Sequence, residues 1–271
     1  KKIVYRFGLV YGKNMESLGV NGTYGFGCNI HRGQNAGRNF EYFSEDTFLT
    51  SECMVQAVKG LQNAGRYGYI KLNEQESNRV GVYTWCTEQT LREIYLKPFQ
   101  RAVQEADCVA IMSSYNRVGA CYAGGSEALL NGVLRKEWGY KGLISTDMVN
   151  GQNYFLPGEC ILGGITMMAN GGGQKADLKT EWVDYEATNI AKDKLLNEHL
   201  HQNMKYQWYA YANSNLLNGM DGSTKVISVT PSWQVMFNVL TVSFSAILAA
   251  SVGLMAFASI KGKEEKEEEK E

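Results

Sequence analysis

The chain has 271 residues, with 27 Lys and Arg against 28 Asp and Glu and a formal net charge of −1 at pH 7. That balance offers no basic surplus for a nucleic-acid partner. The apolar fraction of 44% can supply a core for one large domain or two small ones.

Six cysteines at 28, 53, 86, 108, 121 and 160 show no CxxC spacing and no disulfide-dense module. Several lie in apolar runs, so they read as buried free thiols. The three histidines (31, 199 and 201) form no HExxH-type pattern, so no metal and no other cofactor is expected.

In chain order, a helical pattern near Phe7–Leu18 comes first. Tyr67–Lys71 reads as a short strand. Thr87 has the chemistry of an N-cap, with Glu88 in the first turn. Leu91, Ile94, Tyr95, Phe99, Ala102 and Val103 follow at helical spacing, and Pro98 should kink or shorten that helix. Cys108–Met112 is a continuous apolar run, as for a strand buried on both faces. A helix is expected over roughly Ser126–Trp138, with Leu129, Leu130, Val133 and Leu134 inward and Gly139 at its C-cap. Gly142–Thr146 is the next strand. Ile161–Ala169 holds a further helix end and room for one more strand.

Alternating strands and helices predict a parallel sheet. A closed eight-stranded barrel takes about 250 residues, and only about 220 precede the apolar segment near the C-terminus. The expected α/β fold is therefore an incomplete TIM-type (β/α) barrel lacking its first strands, followed by a single transmembrane helix. Asn73, Glu74, Gln75 and Glu76 follow one strand. Ser113, Ser114, Tyr115 and Asn116 follow the next, and Asp147 directly follows the third. Catalytic groups of parallel barrels occupy such strand ends. An aspartate there also suits a turn or an N-cap, so position alone leaves its role open.

Val226–Ile260 carries no charge, and Val235–Ile260 is its most apolar part. About 20 apolar residues cross a bilayer core. Trp233 stands where an interfacial aromatic is expected. Ser243, Ala246, Ala249, Ala250 and Gly253 offer small side chains for helix packing. The segment reads as a membrane span in contact with lipid. Lys261 and Lys263 favour a cytoplasmic tail with residues 1–232 outside the cell. The closing KGKEEKEEEKE reads as a solvated, disordered tail. The expected organisation is a partial barrel over 1–180, a helical extension and juxtamembrane linker over 181–225, the span over 226–260, and a charged tail over 261–271.

Asn29-Ile-His-Arg32 and Gly37-Arg-Asn-Phe-Glu-Tyr-Phe-Ser-Glu-Asp46, followed by LNEQESNR (72–79), LREIYLKPF (91–99), MSSYNRVG (112–119) and LRKEWGYKGLISTD (134–147), resemble glycoside hydrolase family 3. The resemblance runs in order over roughly residues 8 to 215. It implies a retaining β-glycosidase, β-glucosidase-like, that removes terminal β-linked sugars from oligosaccharides. Asp147 takes the place of the nucleophile in Thr146-Asp147-Met148, where the family has tryptophan after the aspartate. Arg38 matches the sugar-binding arginine of the GRNFE motif. Tyr115 matches a tyrosine whose hydroxyl would position the carboxylate. Such an enzyme needs its nucleophile about 5–5.5 Å from a second carboxyl group that protonates the leaving group.

The pattern departs from the family in four places. The family's Lys-His-Phe motif is reduced: keeping Lys71 as its sugar-binding lysine removes three residues and the histidine, whereas an ungapped alignment puts Gly68, Tyr69 and Ile70 there and loses both cations. The methionine after Asp147 alters one wall of the sugar site. The family's first βα units, with an early sugar-binding aspartate, would precede Lys1. Its acid/base glutamate comes from a sandwich domain, which precedes the barrel in circularly permuted, membrane-anchored Gram-positive members. Glu74, Glu76 and His31 are expected to be structural rather than substitutes for that acid. The alternative is a degenerate, catalytically inactive carbohydrate-binding barrel or a membrane scaffold.

Overall fold

A computed structural model describes residues 1–71, 79–148, 155–169, 192–218 and 229–268, with no side-chain account of Lys71 or of 262–268. The chain divides into two units, Lys1–Gly219 and Met220–Glu271. The strands are β1 (Gly22–Gly27), β2 (Tyr67–Lys71), β3 (Tyr83–Thr84), β4 (Ala110–Met112), β5 (Arg117–Val118), β6 (Cys121–Tyr122) and β7 (Leu143–Ser145). The longer helices are α1 (Lys2–Ser17), α2 (Thr47–Asn63), α3 (Lys97–Ala106), α4 (Ala128–Glu137), α5 (Pro157–Gly163), α6 (Lys194–Ala212) and α7 (Ser232–Glu268).

β1, β2, β4 and β7 form one parallel sheet in that order. Ile70, Ile111 and Ile144 stand in register across it. All three are buried with Met54 and Val58 of α2, Phe99 and Val103 of α3, and Leu130 and Leu134 of α4. The opposite face carries Tyr69, Ala110, Met112 and Leu143, which pack with Ala210 of α6. The Tyr69 hydroxyl reaches Met167 Sδ at 4.0 Å, and Met167 bridges Ser145 beyond β7. The strand foreseen within Ile161–Ala169 is this single bridge.

β1 carries no local strand signal. Three of its six residues are glycine, which weighs against a strand. Close approach explains one of them: a Cβ on Gly27 would lie 2.5 Å from the Glu41 carbonyl oxygen. The α1–α2 contact has the same character. A Cβ on Gly8 would overlap the Ala57 carbonyl, and one on Gly60 the Tyr5 carbonyl. Gly60→Val should thus lower stability by about 1–3 kcal/mol through overpacking. A drop in melting temperature with faster amide exchange across α1 would register it; unchanged exchange would refute the contact.

Thr87 caps its helix as expected, its Oγ1 accepting from the Thr90 N–H at 3.2 Å. The following turn is wide, with the Leu96 N–H bonded to the Leu91 carbonyl at 2.8 Å. α3 then restarts with Pro98 in its first turn, where a missing N–H costs nothing. Gly139, at φ 74°, ends α4 and donates to the Arg135 carbonyl at 3.1 Å. All six cysteines are free, but only Cys28, Cys108 and Cys160 are buried, and Cys86 and Cys121 are exposed. The expectation of buried thiols thus fails for these two, which lie at or beside the short β3–β5–β6 sheet. Burial pushes the Cys108 and Cys160 thiols up to about 12.

Glu52 of α2 takes hydrogen bonds from Lys1 Nζ at 2.6 Å and Arg101 Nη2 at 2.5 Å. Those bonds, first from Lys1 and then from Arg101, lower its carboxyl from 4.5 to about 2. The folded value lies below the unfolded one, so this contribution is full above pH 4.5 and fades as pH falls towards about 2. Glu52→Gln should flatten the loss of urea resistance across that window; an unaltered acid limb would contradict the linkage.

α6 belongs to the first unit. Asn203 Nδ2 donates to the carbonyls of Ile161 and Ile165 at 2.9 and 3.0 Å, and the Asn215 N–H donates to Gly65 at 2.8 Å. In the second unit, α7 is long and apolar enough to cross a membrane over Ser232–Lys261, with a mean hydropathy of 2.0. It starts at Ser232 rather than Val226, the Val235 N–H bonding the Pro231 carbonyl at 3.1 Å. It continues as backbone helix to Glu268. The tail expected to be disordered is thus helical up to that point, because Lys and Glu are strong helix formers.

Candidate active site

Four expected site residues follow four adjacent strands. Arg38 lies in the loop after β1, Lys71 ends β2, Tyr115 follows β4, and Asp147 follows β7. All are at the C-terminal edge of the sheet because the strands are parallel. Lys71 pairs in register with Gly27 and Met112. Asn73, Glu74, Gln75 and Glu76 lie outside the described residues.

Asp147 stands where the ladder ends. The backbone before it is held by the Thr146 N–H on the Met167 carbonyl at 3.0 Å and by Thr146 Oγ1, which accepts from the Ala169 N–H at 2.9 Å. Thr146 is fully buried, whereas Asp147 is half-buried. Its Oδ1 accepts from the Met148 N–H at 2.8 Å. The Tyr115 hydroxyl donates to the Met148 carbonyl at 2.6 Å. It therefore grips the peptide next to the carboxylate, and through that peptide it can position the carboxylate, as the family resemblance implied of it.

Behind Tyr115 lies an aromatic wall. Its ring stacks on Phe155 at 5.6 Å, and Phe155 stacks on Tyr122 at 4.3 Å. The Arg79 guanidinium covers the Tyr115 ring at 4.4 Å. Neither Phe155 nor Arg79 was foreseen as support, since pairing across 36 or more positions leaves no local trace.

The Arg38 guanidinium forks onto Glu41, Nε to Oε1 at 2.7 Å and Nη2 to Oε2 at 2.8 Å. This bidentate pair fixes the plane of the guanidinium. The i,i+3 spacing within GRNFE was the available signal for it. His31 Nε2 lies 2.8 Å from the Asn39 carbonyl, and the Asn39 amide donates to the Gly33 carbonyl at 2.7 Å. His31 thus holds the Arg38 loop in shape, the structural role expected of it.

The sequence model of the "Glycosyl hydrolase family 3 N terminal domain" matches residues 1–160. The chain belongs to this family. It is 49% identical over 121 residues to beta-glucosidase B of Emericella nidulans, covering 44% of the chain and 14% of that protein. Beta-glucosidase of Rhizobium radiobacter is 40% identical over 149 residues, 54% of the chain and 18% of that protein. Among solved structures, beta-glucosidase 3B of Thermotoga neapolitana in complex with glucose superposes with a TM-score of 0.71 at 32% identity, over 78% of this chain and 30% of that one. A beta-glucosidase from Paenibacillus barengoltzii gives a TM-score of 0.72 at 27% identity, over 83% of this chain and 25% of that one. The family-3 chain thus spans less than a fifth of these two curated relatives and under a third of these structures, and its sheet is a segment of their TIM-barrel-like α/β fold.

Proposed function

We propose that this chain is the nucleophile-bearing part of a retaining β-glycosidase acting on terminal β-linked glucosides of oligosaccharides. The carrying observation is the order of these residues on the parallel sheet: Arg38 lies in the loop after β1, Lys71 ends β2, and Tyr115 and Asp147 lie just beyond β4 and β7, four strands that neighbour one another. In this reading the Asp147 carboxylate attacks the anomeric carbon, and Arg38 and Lys71 donate to sugar hydroxyls. Tyr115 holds the Met148 peptide and so the direction of the carboxylate. The chain is an incomplete barrel, and the remaining strands and the acid/base come from polypeptide beyond these 271 residues, a sandwich domain among them. α7 spans the membrane, with the barrel portion outside and the lysines after Ile260 inside. Family membership supports the glycosidase reading, and the length and apolar composition of α7 support the membrane span.

A 2-deoxy-2-fluoro-β-glucoside with a good leaving group tests the chemistry. Its slow glycosyl-enzyme should appear by peptide mass spectrometry on Asp147 in the assembled protein; a label elsewhere, with Asp147 unmodified, would reject the assignment. A second reading, sugar binding without turnover, is favoured by Met148. That residue stands exposed where the family has tryptophan, leaving one wall of the sugar site without its indole. It predicts saturable glucoside binding and no label at all.

A further inference from the structure

Tyr115 sends its hydroxyl to Met148, but its neighbours Ser114 and Asn116 line a different space. This is a pocket open to solvent between the loop after β3 and the end of β4, walled also by Arg32, Thr84, Trp85, Tyr95 and Arg117. Asp147 is not part of its wall.

Three features distinguish it from a packing gap. Ser114 is 1% exposed, and its Oγ has no hydrogen-bond partner; nor has the buried Oγ1 of Thr84. Buried hydroxyls left this way are costly, and native structures seldom keep them without water or a ligand. Trp85 is 74% exposed, with its ring edge over Gly119. Arg32 is set at the rim by the Tyr95 ring, 5.7 Å from its guanidinium carbon, and among the described residues no acidic side chain lines the pocket.

The lining selects its ligand class. Hydroxyls both donate and accept, so Ser114 and Thr84 are best answered by other hydroxyls; an anion, which only accepts, leaves their lone pairs unanswered. Trp85 offers a flat apolar face, and a guanidinium fork suits vicinal hydroxyls. A small molecule with one apolar face and a rim of hydroxyls is a pyranose. We infer that this pocket is a second saccharide site, separate from Asp147. It takes one uncharged pyranose unit, with the ring on Trp85 and hydroxyls on Ser114 and Thr84. This rests on the reading of the chain as carbohydrate-directed.

The test uses the full chain in detergent micelles, labelled with fluorotryptophan and titrated with methyl β-D-glucoside. Trp85→Phe identifies the Trp85 fluorine signal. That signal should shift saturably at millimolar glucoside. The shift should persist in Arg38→Ala and should need about five- to tenfold more glucoside in Ser114→Ala, the loss of one hydrogen bond. Ser114→Ala removes an unpaired hydroxyl, so its melting temperature should not fall. The inference is overturned if no saturable shift occurs, if Ser114→Ala binds as the parent does, if inorganic phosphate and not the glucoside moves the signal, or if Arg38→Ala abolishes the shift. Failure of Asp147 labelling with a retained Trp85 response would sink the catalytic reading alone.

Discussion

Asp147→Asn should reduce hydrolysis of an aryl β-glucoside by the assembled enzyme on the order of 10³- to 10⁶-fold, the scale seen when a nucleophile is removed. The amide is nearly isosteric and can still accept from the Met148 N–H, so the turn after β7 should survive. It cannot form the glycosyl ester, and it brings no negative charge to the oxocarbenium-like transition state. The anchors on either side are independent of the carboxylate: Thr146 is tied to Met167 and Ala169, and the Met148 carbonyl to Tyr115. The melting temperature should therefore stay put while kcat collapses, with KM little changed. A rate within a few fold of the parent would remove Asp147 from the mechanism. Tyr115→Phe should cost less, because it frees the peptide beside the nucleophile without touching the reacting group. A misplacement of about 1 Å can still cost about 10²-fold. Loss of activity as deep as that of Asp147→Asn would point to a direct role for the phenol.

Arg135→Ala should lower the stability of the first unit by about 3–5 kcal/mol. The side chain is 8% exposed and donates to three carbonyls: Nη1 to Gly142 at 3.1 Å and Tyr140 at 3.5 Å, and Nη2 to Gly164 at 3.1 Å. Its guanidinium is also sandwiched by rings, 3.6 Å from the Tyr206 centroid and 5.5 Å from that of Tyr140. One residue thus joins the end of α4, the start of β7, the turn after α5 and the middle of α6. Burial pulls its pKa down to about 10, so the charge persists at neutral pH. Truncation leaves three carbonyls without their donor and a void beneath Tyr206. Lysine should recover little of the loss, because an ammonium lacks the planar fork that serves carbonyls on two sides. Urea unfolding of the full chain in detergent would measure the difference; a cost below about 1 kcal/mol would mean that water replaces the guanidinium without penalty.

Much of this protein is written locally in its sequence. Cys108–Met112 is apolar throughout because that strand has no wet face. Thr87, Pro98 and Gly139 mark helix ends because capping is a matter of neighbouring residues. Asp147 and Tyr115 are candidates because parallel strands deliver the residues after them to one edge, and the family motifs, read in order, named the family and its α/β fold before any contact was known. That α7 is long and apolar enough to cross a membrane follows from length and composition alone.

What the tertiary structure decided lies between distant residues. β1 is a strand because Gly27 admits the Glu41 backbone and the strand pairs with Tyr67–Lys71, although its own propensities argue against it. Arg79 and Phe155 support Tyr115, and Arg135 serves three carbonyls, only once helices and loops far apart in the chain have packed. The general expectation of buried thiols fails at Cys86 and Cys121, which are exposed at or beside the short sheet. The turn that carries Asp147 is held through Met148 and Tyr115, a bond to backbone that no side-chain pattern encodes. Propensity and periodicity act over a few residues, whereas packing, burial and the pairing of buried polar atoms are settled where distant segments meet.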